Sequence, residues 1–194
     1  MSVARKKQQQ NNVRIIAGKW RGRKIEFVDT EGLRPTPDRV RETLFNWLQT
    51  IIPGAVCIDC FAGSGALGFE AASRGAKKVT LIETNPVAVA QLKQSKEKLE
   101  AENVGIISAS ALNYFQEGTH NADIFFLDPP FTSNLLQATL EIIIDNNILK
   151  SDGMIYLEYP ENNQPELPQG WRWYRQKKTG EVGYGLLVKV NGKV

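Results

Sequence analysis

Two short segments carry residue types that could do chemistry on a bound ligand. The first is a glycine-rich turn, residues 59–68 (DCFAGSGALG), whose glycines have the spacing G-x-G-x-x-G. The second is the segment 128–131 (DPPF), which follows the apolar run 124–127. Glycines allow a ligand to approach the backbone closely, whereas consecutive prolines fix the backbone and so the direction of a neighbouring carboxylate.

The glycine-rich turn has the surroundings of a site for a nucleotide-like cofactor. It lies between a predicted strand and a predicted helix, and Glu83 ends the next strand 20 residues after Gly63, where a carboxylate can accept both hydroxyls of a ribose. Asp59, just before the turn, would repel a pyrophosphate but attract the ammonium and sulfonium of S-adenosyl-L-methionine. The charge therefore favours that cofactor over NAD. The alternative without a ligand is a glycine-rich turn beside a surface acid.

The second segment suits the methylation of an exocyclic amine. Such a nitrogen is a poor nucleophile because its lone pair is delocalised into the ring. Hydrogen bonds from the amine to Asp128 and to the carbonyl of Pro129 would favour a pyramidal nitrogen, and the ring of Phe131 could stack on a flat base. The alternative is a Pro-Pro turn that only ends a strand.

The elements that must position these segments alternate between strands and helices from residue 55 onward. Near-continuous apolar strands separated by helices predict a parallel sheet covered on both faces, so the fold class is α/β. Strands are predicted at 55–60, 77–83, 104–108, 122–128, 153–158, 171–178 and 183–191, the last two antiparallel, and helices at 65–74, 86–101, 110–116 and 134–146. Residues 1–12 are predicted to form a disordered basic tail, and 13–194 a single domain.

Residues 13–36 of this domain are predicted to be a basic β-hairpin extension, with Trp20 and basic side chains at its tip. A helix is predicted to begin at 35–38 and to continue to about residue 51. Residues 1–41 hold 11 basic against four acidic side chains, a net charge of +7, whereas the remaining residues have a net charge of −4. A basic segment on an acidic body is suited to binding a phosphate backbone. We expect RNA phosphates to bind Arg14, Lys19, Arg21, Arg23 and Lys24.

Composition excludes several other classes of protein. The chain has 194 residues, 42% of them hydrophobic, which is ordinary for a globular domain, and no apolar run approaches the roughly 20 residues that span a bilayer. Cys57 and Cys60 are predicted to be core residues on opposite faces of one strand, so neither a disulfide nor a metal is expected. We expect a monomer that binds no membrane and is located in the cytoplasm.

Together with two segments nearer the N-terminus, these residues resemble a known family. Asp59-x-Phe61-x-Gly63-x-Gly65, Glu83 and the DPPF segment resemble the class I S-adenosylmethionine-dependent amino-methyltransferases. Segments 14–24 (RIIAGKWRGRK) and 34–45 (RPTPDRVRETLF) are similar to the RsmD family of small-subunit ribosomal RNA guanine-N2 methyltransferases. The resemblance covers the chain apart from the first dozen residues and much of 159–170.

The resemblance implies a Rossmann-like, seven-stranded, mostly parallel sheet with one antiparallel strand, and the N2 amine of one guanine in 16S rRNA as the substrate. Carried over by position, it implies a role for each of several residues. The cofactor would be bound by Asp59, Phe61, Gly63, Gly65 and Glu83, with Thr36 and Arg39 near it and near the mouth of the site, and the base would face Asp128, Pro129, Pro130 and Phe131. Ser110 and Ala111 stand where a cofactor-facing Asp or Asn is usual, and the Ser110 hydroxyl could still bind the adenine amine.

Two other functions stay open at this stage. A methyltransferase of DNA adenine would use the same DPPF turn, although the chain has no separate region of the size that sequence-specific DNA enzymes use for target recognition. A non-catalytic RNA-binding or ribosome-assembly module would keep the fold without the reaction. The rRNA substrate itself could be naked 16S rRNA or a small ribosomal subunit and its assembly intermediates.

Overall fold

The computed structural model describes residues 10–28, 36–116, 121–131 and 133–190. Residues 1–9 of the predicted basic tail lie outside these ranges. The rest of that tail differs from the expectation, because Gln10 already begins the first strand. Residues 29–35, which end the predicted hairpin extension and include Arg34 and Pro35 of the family-like segment, also lie outside the described ranges.

The described ranges contain nine strands and five helices. The strands are β1 (Gln10–Arg14), β2 (Lys24–Val28), β3 (Val56–Asp59), β4 (Lys78–Glu83), β5 (Val104–Ser108), β6 (Ala122–Leu127), β7 (Leu149–Pro160), β8 (Trp171–Thr179) and β9 (Val182–Lys189). The helices are α1 (Asp38–Trp47), α2 (Ala66–Ser73), α3 (Pro86–Leu99), α4 (Ala111–Gln116) and α5 (Leu135–Asp145). None of these helices is both long and apolar enough to cross a membrane.

Seven strands form one sheet in the order β5-β4-β3-β6-β7-β9-β8, and β1 and β2 pair separately as an antiparallel hairpin. Strands β3 to β7 are parallel, whereas β9 runs opposite to both of its neighbours, β7 and β8. The mostly parallel sheet with one antiparallel strand is therefore confirmed. Because β3 and β6 are adjacent in the middle of this order, the loops that follow them meet in the middle of the carboxyl edge, where open α/β sheets bind ligands.

Each face of the sheet is covered by its own hydrophobic cluster. On β6, Ile124 and Phe126 belong to one cluster, and Phe125 and Leu127 belong to the other, which is why residues 124–127 of this strand are all apolar. The two cysteines divide in the same way, Cys57 into the first cluster and Cys60 into the second, and both are buried. Their prediction as core residues on opposite faces is confirmed.

Strand β7 begins earlier than predicted. The sequence predicts a start at residue 153, because the polar segment 150–152 interrupts the apolar pattern. In the structure Leu149 already pairs with Ala122, and the register shifts between Ala122 and Ile124 before regular pairing continues. The irregularity accommodates the polar residues, two of which are exposed, at the edge of the sheet away from the cleft.

The tip of the N-terminal hairpin is folded back onto α2 rather than projecting into solvent. Trp20, predicted at the tip, is only 4% exposed, and its backbone N–H donates to Ser73 Oγ at 3.0 Å. Gly18 permits this approach: a Cβ there would lie 1.9 Å from the carbonyl oxygen of Ser73. Trp20 therefore lies at the tip as predicted, and its burial is a finding of the structure, because the apolar side of the hairpin packs against a partner some 50 residues further along the chain.

A buried carboxylate, Glu70 of α2, binds the hairpin and α1 together. It accepts hydrogen bonds from the backbone N–H groups of Ile16 (2.7 Å) and Ala17 (3.0 Å). It is also 2.6 Å from Arg74 Nε and 3.7 Å from Nη1 of Arg41, whose side chain is buried. Both oxygens of this carboxylate thus have a backbone donor and a cationic partner. A buried charge needs such partners to offset its loss of hydration.

We expect Glu70→Gln to lower the free energy of unfolding by about 3–5 kcal/mol, because it removes the buried charge that pairs with Arg74 and leaves buried Arg41 with Asp38 (2.6 Å) as its remaining counter-charge. Urea denaturation measures the change. Glu26→Gln is the matched control, since it breaks an exposed pair with Lys98 (2.8 Å) and should cost about 1 kcal/mol or less. Equal losses in the two variants would show that the buried network contributes no more than an exposed pair.

Candidate active site

The carboxyl ends of strands β3 to β7 open into one cleft of about 1550 Å³. Most of the residues predicted to bind cofactor or base line this cleft. They are Thr36, Asp59, Phe61, Gly63, Glu83, Ser110, Ala111, Asp128, Pro129, Pro130 and Phe131. Gly65 and Arg39 lie outside its lining, so the structure brings all but two of the predicted cofactor and base residues together.

Gly65 shapes the turn instead of lining the cleft. It precedes the first residue of α2 and has φ +79°, a left-handed conformation that favours glycine. A Cβ at this position would lie 2.6 Å from Phe69 Cδ2 and 2.7 Å from Leu92 Cδ2. The third residue of the G-x-G pattern is therefore required for packing and backbone direction, and it presents no surface to a ligand. Arg39, in the first turn of α1, is exposed to solvent.

Glu83, at the end of β4, is fixed in place by backbone donors. Its Oε2 accepts from the N–H of Gly63 at 2.8 Å, which joins the glycine-rich turn to the neighbouring strand. Its Oε1 accepts from the N–H groups of Thr84 (2.9 Å) and Asn85 (2.8 Å). A carboxylate has about four acceptor directions, so this one keeps capacity for a ligand hydroxyl while its orientation is fixed.

Asp59 occupies the centre of the cleft at the end of β3. It is 2% exposed, and its Oδ2 accepts from the N–H of Gly68 at 3.2 Å. Burial, and then the charge of Asp128, raises the pKa of Asp59 to about 7. A cation bound beside it would favour the ionised form and be attracted by it, so this position suits a positively charged group.

Ser110 and Ala111 begin helix α4 on the β5 side of the cleft. Ser110 Oγ accepts from the N–H of Asn113 at 3.1 Å and so caps the helix. Ala111 is 4% exposed. The Ser110 hydroxyl has this capping role whether or not it also donates to a ligand, and its predicted contact with an adenine amine stays a prediction.

Asp128 follows β6, and Thr36 lies against it. Thr36, which is 5% exposed, donates from Oγ1 to Asp128 Oδ2 at 3.2 Å. Burial raises the pKa of Asp128 to about 6, and the hydrogen bond from Thr36 opposes that rise. Near neutral pH the side chain is therefore mostly an ionised acceptor, and Thr36, two residues before α1, lies beside it.

In the rest of the DPPF turn, hydrogen bonds fix the backbone at Pro130, whereas the side chain of Phe131 is exposed. The carbonyl of Pro130 accepts from both the N–H (3.0 Å) and the hydroxyl (2.7 Å) of Ser133, which closes the turn. Pro129 is buried, and Phe131 is 43% exposed in the cleft. An exposed ring beside a fixed acceptor is what a flat base would need for stacking.

Glu158, at the end of β7, is a cleft residue that the sequence analysis did not identify. It is 4% exposed and lines the cleft, and its Oε1 accepts from the hydroxyl of Tyr156 at 2.8 Å. Burial, and then the charge of Asp128, raises its pKa well above the ordinary value. A charged residue inside the apolar strand 154–159 is the signal that could have identified it.

The five basic residues predicted to bind RNA are spread along the hairpin. Lys19, Arg21 and Lys24 are exposed, and Lys19 Nζ lies 5.7 Å from the centre of the Trp20 ring. Arg14, also exposed, is 3.8 Å from Asp38, and Arg23 donates to the carbonyl of Lys98. The turn that carries Lys19 and Arg21 lies at the C-terminal end of α2, about 12 Å along the helix from the cleft.

Comparison with known proteins agrees with this geometry. A family model described as "Conserved hypothetical protein 95" matches residues 13–188. The ribosomal RNA small subunit methyltransferase D of Escherichia coli (strain K12) is 48% identical over 180 residues, which are 91% of this chain and 90% of that protein. The protein of the same name from Haemophilus influenzae is 45% identical over 178 residues, 90% of this chain and 92% of that one.

Solved structures show the same fold. The yhhF protein of Escherichia coli is 42% identical and superposes with a TM-score of 0.86, covering 92% of this chain and 98% of that chain. RsmC of Thermus thermophilus, a 16S rRNA N2 methyltransferase solved with AdoMet and guanosine, is 20% identical with a TM-score of 0.65 over 93% of this chain and 50% of that chain. At 20% identity the likeness concerns the fold alone. Because the family model spans most of the chain, and its relatives align over nine-tenths of their own length, this chain belongs to the family of the ribosomal RNA small subunit methyltransferase D.

Proposed function

We propose that this methyltransferase transfers a methyl group from S-adenosyl-L-methionine to the N2 amine of one guanine in 16S rRNA. The observation that carries the proposal is the order of carboxylates along the cleft. Glu83 lies on the β4 side, Asp59 at the centre and Asp128 on the β6 side. A nucleoside-like donor and a flat acceptor can therefore meet at Asp59. The names of the relatives support ribosomal RNA as the substrate class.

The residues on the β3–β4 side fit S-adenosylmethionine. Glu83 is held by three backbone N–H groups and retains acceptor capacity for a ribose hydroxyl. Asp59 supplies a buried negative charge where the amino-acid portion carries its ammonium. When bound, the cofactor supplies an electrophilic methyl group on a positively charged sulfur.

The residues on the β6 side prepare the amine. Asp128 accepts one N–H of the target amine and the Pro129 carbonyl accepts the other, which aims the nitrogen lone pair out of the ring plane. Both acceptors are fixed in advance, since Thr36 holds the Asp128 carboxylate and Ser133 closes the turn. Catalysis then comes mainly from positioning and from acceptors that need no reorganisation.

Asp128 also accepts the proton that the nitrogen must lose. Methyl transfer leaves a positively charged amine, whose acidity is far greater than that of the starting group. A carboxylate with a pKa of about 6 can take this proton and release it to water above that pH. No further base is needed among the described residues that line the cleft.

The proposal also concerns the form in which the RNA is presented to the enzyme. A base inside folded RNA must be splayed out to enter the cleft, and bases in loops are the easiest to extract. We infer that the enzyme acts as a monomer in the cytoplasm, on a small ribosomal subunit or its assembly intermediate, with the basic hairpin binding phosphates beside the target.

The first experiment incubates the enzyme and tritiated S-adenosylmethionine with 16S rRNA, and with small subunits, from cells lacking this gene. We expect label in N2-methylguanosine. Asp128→Ala should lower kcat about 100- to 1000-fold, because it removes the main acceptor of the amine. Asp128→Asn keeps one carbonyl oxygen and should lose less.

Asp152→Ala is the control for this experiment, since it removes an exposed carboxylate from the opposite edge of the sheet. Isothermal titration calorimetry should show that both alanine variants still bind the cofactor. Label in another nucleoside would contradict the choice of guanine N2. Full activity of Asp128→Ala would contradict the mechanism.

The acidic limb of the pH profile tests the state of Asp128. At saturating cofactor and RNA, kcat should fall about tenfold per pH unit below pH 6 and level off above it, since the protonated side chain cannot accept from the amine. Thr36→Val removes a hydrogen bond to the charged form, so the limb should move about one unit to higher pH. Thr36→Ser retains the hydroxyl and should leave the limb in place. An unmoved limb in Thr36→Val would show that a different group titrates.

Charge reversal on the hairpin tests the RNA contacts. The triple variant Lys19→Glu, Arg21→Glu and Lys24→Glu should weaken RNA binding and reduce the slope of log K against log salt by about two. Cofactor affinity should stay the same, because these side chains lie outside the cleft. A triple reversal of Lys77, Lys93 and Lys96 changes net charge equally and controls for it. Equal effects from both triples would show that only net charge matters.

A further inference from the structure

Glu158 is a buried acid that the proposed reaction has not yet used. The register pairs Leu127 of β6 with Leu157 of β7, so Asp128 and Glu158 follow at corresponding positions on adjacent strands. Both side chains line the cleft. A buried carboxyl beside another carboxyl costs free energy, and packing alone would be served better by an apolar residue of similar volume.

The hydroxyl of Thr36 connects the two carboxyls. It donates to Asp128 Oδ2 at 3.2 Å, and it is also close enough to the Glu158 carboxyl to oppose the rise of its pKa. On its other side, Glu158 Oε1 accepts from the hydroxyl of Tyr156, a residue with no exposed surface. The four groups form a chain in the order Tyr156, Glu158, Thr36 and Asp128.

We propose that Glu158 is a positioning residue for Asp128: acting through the hydroxyl of Thr36, it keeps Oδ2 of Asp128 occupied and directs the other oxygen at the target amine. The inference rests on the proposed function in so far as Asp128 is the acceptor of the amine. It assigns Glu158 no contact with the base or the cofactor.

The charges around Glu158 determine the direction of the hydrogen bonds. Asp128 and Asp59 are the acids at the neighbouring strand ends, and Tyr156 and Tyr184 are the tyrosines on β7 and β9 nearby. Burial, and then the charge of Asp128, raises the pKa of Glu158 well above its ordinary value and so favours its protonated form. A neutral carboxyl donates its proton to Thr36 Oγ1, and Thr36 in turn can donate only to Asp128.

The test compares two variants of Glu158 in the full-length enzyme. The assay uses S-adenosylmethionine and, as substrate, the unmethylated RNA that the first experiment shows to accept the methyl group. Glu158→Gln can reproduce the chain, since its carbonyl accepts from Tyr156 and its amide donates to Thr36. We expect kcat within about threefold of wild type and an unchanged acidic limb. Glu158→Leu has similar volume but breaks the chain, and we expect kcat to fall at least about tenfold, with the acidic limb moved to higher pH and the KM for cofactor unchanged.

Two further variants complete the comparison. Because Glu158→Leu leaves the Tyr156 hydroxyl without its acceptor, the double variant Tyr156→Phe with Glu158→Leu removes both polar groups and should fold even where the single variant does not. It should show the same loss of kcat and the same shift of the limb. Glu141→Gln, exposed on α5, makes the same chemical change outside the cleft and should match wild type.

Either of two results would overturn the proposal. Wild-type kcat and an unmoved limb in the double variant would show that Glu158 does not position Asp128. Equal losses in Glu158→Gln and in the double variant would show that the ionised carboxylate itself is required, as for direct contact with the base. The nucleoside that carries the label tests the proposed function separately, since the comparison among variants holds for any amine that Asp128 accepts.

Discussion

The buried ion pair between Glu70 and Arg41 is the interaction on which the active site depends. Glu70 holds the backbone of the hairpin at Ile16 and, through Arg41, holds α1. Arg41 Nε in turn donates to the carbonyl of Thr36 at 3.3 Å, and Thr36 donates to Asp128. The network therefore extends from the buried Glu70 of α2 to the carboxylate of Asp128. Its desolvation cost is offset because both charged groups have several hydrogen bonds.

The acidic side chains of the cleft also lower the stability of the folded protein. Four carboxyls, those of Asp59, Glu83, Asp128 and Glu158, meet at one edge of the sheet. Burial raises the pKa values of Asp59 and Asp128 above 3.8, to about 7 and about 6. Between pH 4 and 7 the folded chain thus binds more protons than the unfolded chain, and these groups make folding less favourable as pH rises through that window. A bound cation compensates this charge, so the same residues that weaken the empty fold strengthen the occupied one.

The sequence predicts the parts of the site that are local along the chain. Asp59, Glu83 and Asp128 each end an apolar run and are followed by a turn, so their position at the carboxyl edge follows from strand periodicity. Glu158 could not be assigned a partner in this way, because its place beside Asp128 depends on the pairing of β6 with β7, about 30 residues apart. The burial of Trp20 could not be predicted for the same reason, since its contact with α2 is 53 residues away.

The separation between the hairpin and its partners has a consequence for synthesis of the chain. Residues 10–28 leave the ribosome first, but Glu70 and Ser73, which bind them, follow some 50 residues later. At roughly 5–20 residues per second this is a delay of about three to ten seconds. Throughout that interval the apolar side of the hairpin, including Ile15 and Trp20, has no α2 to pack against. The hairpin segment therefore reaches its final environment only after α2 has been translated.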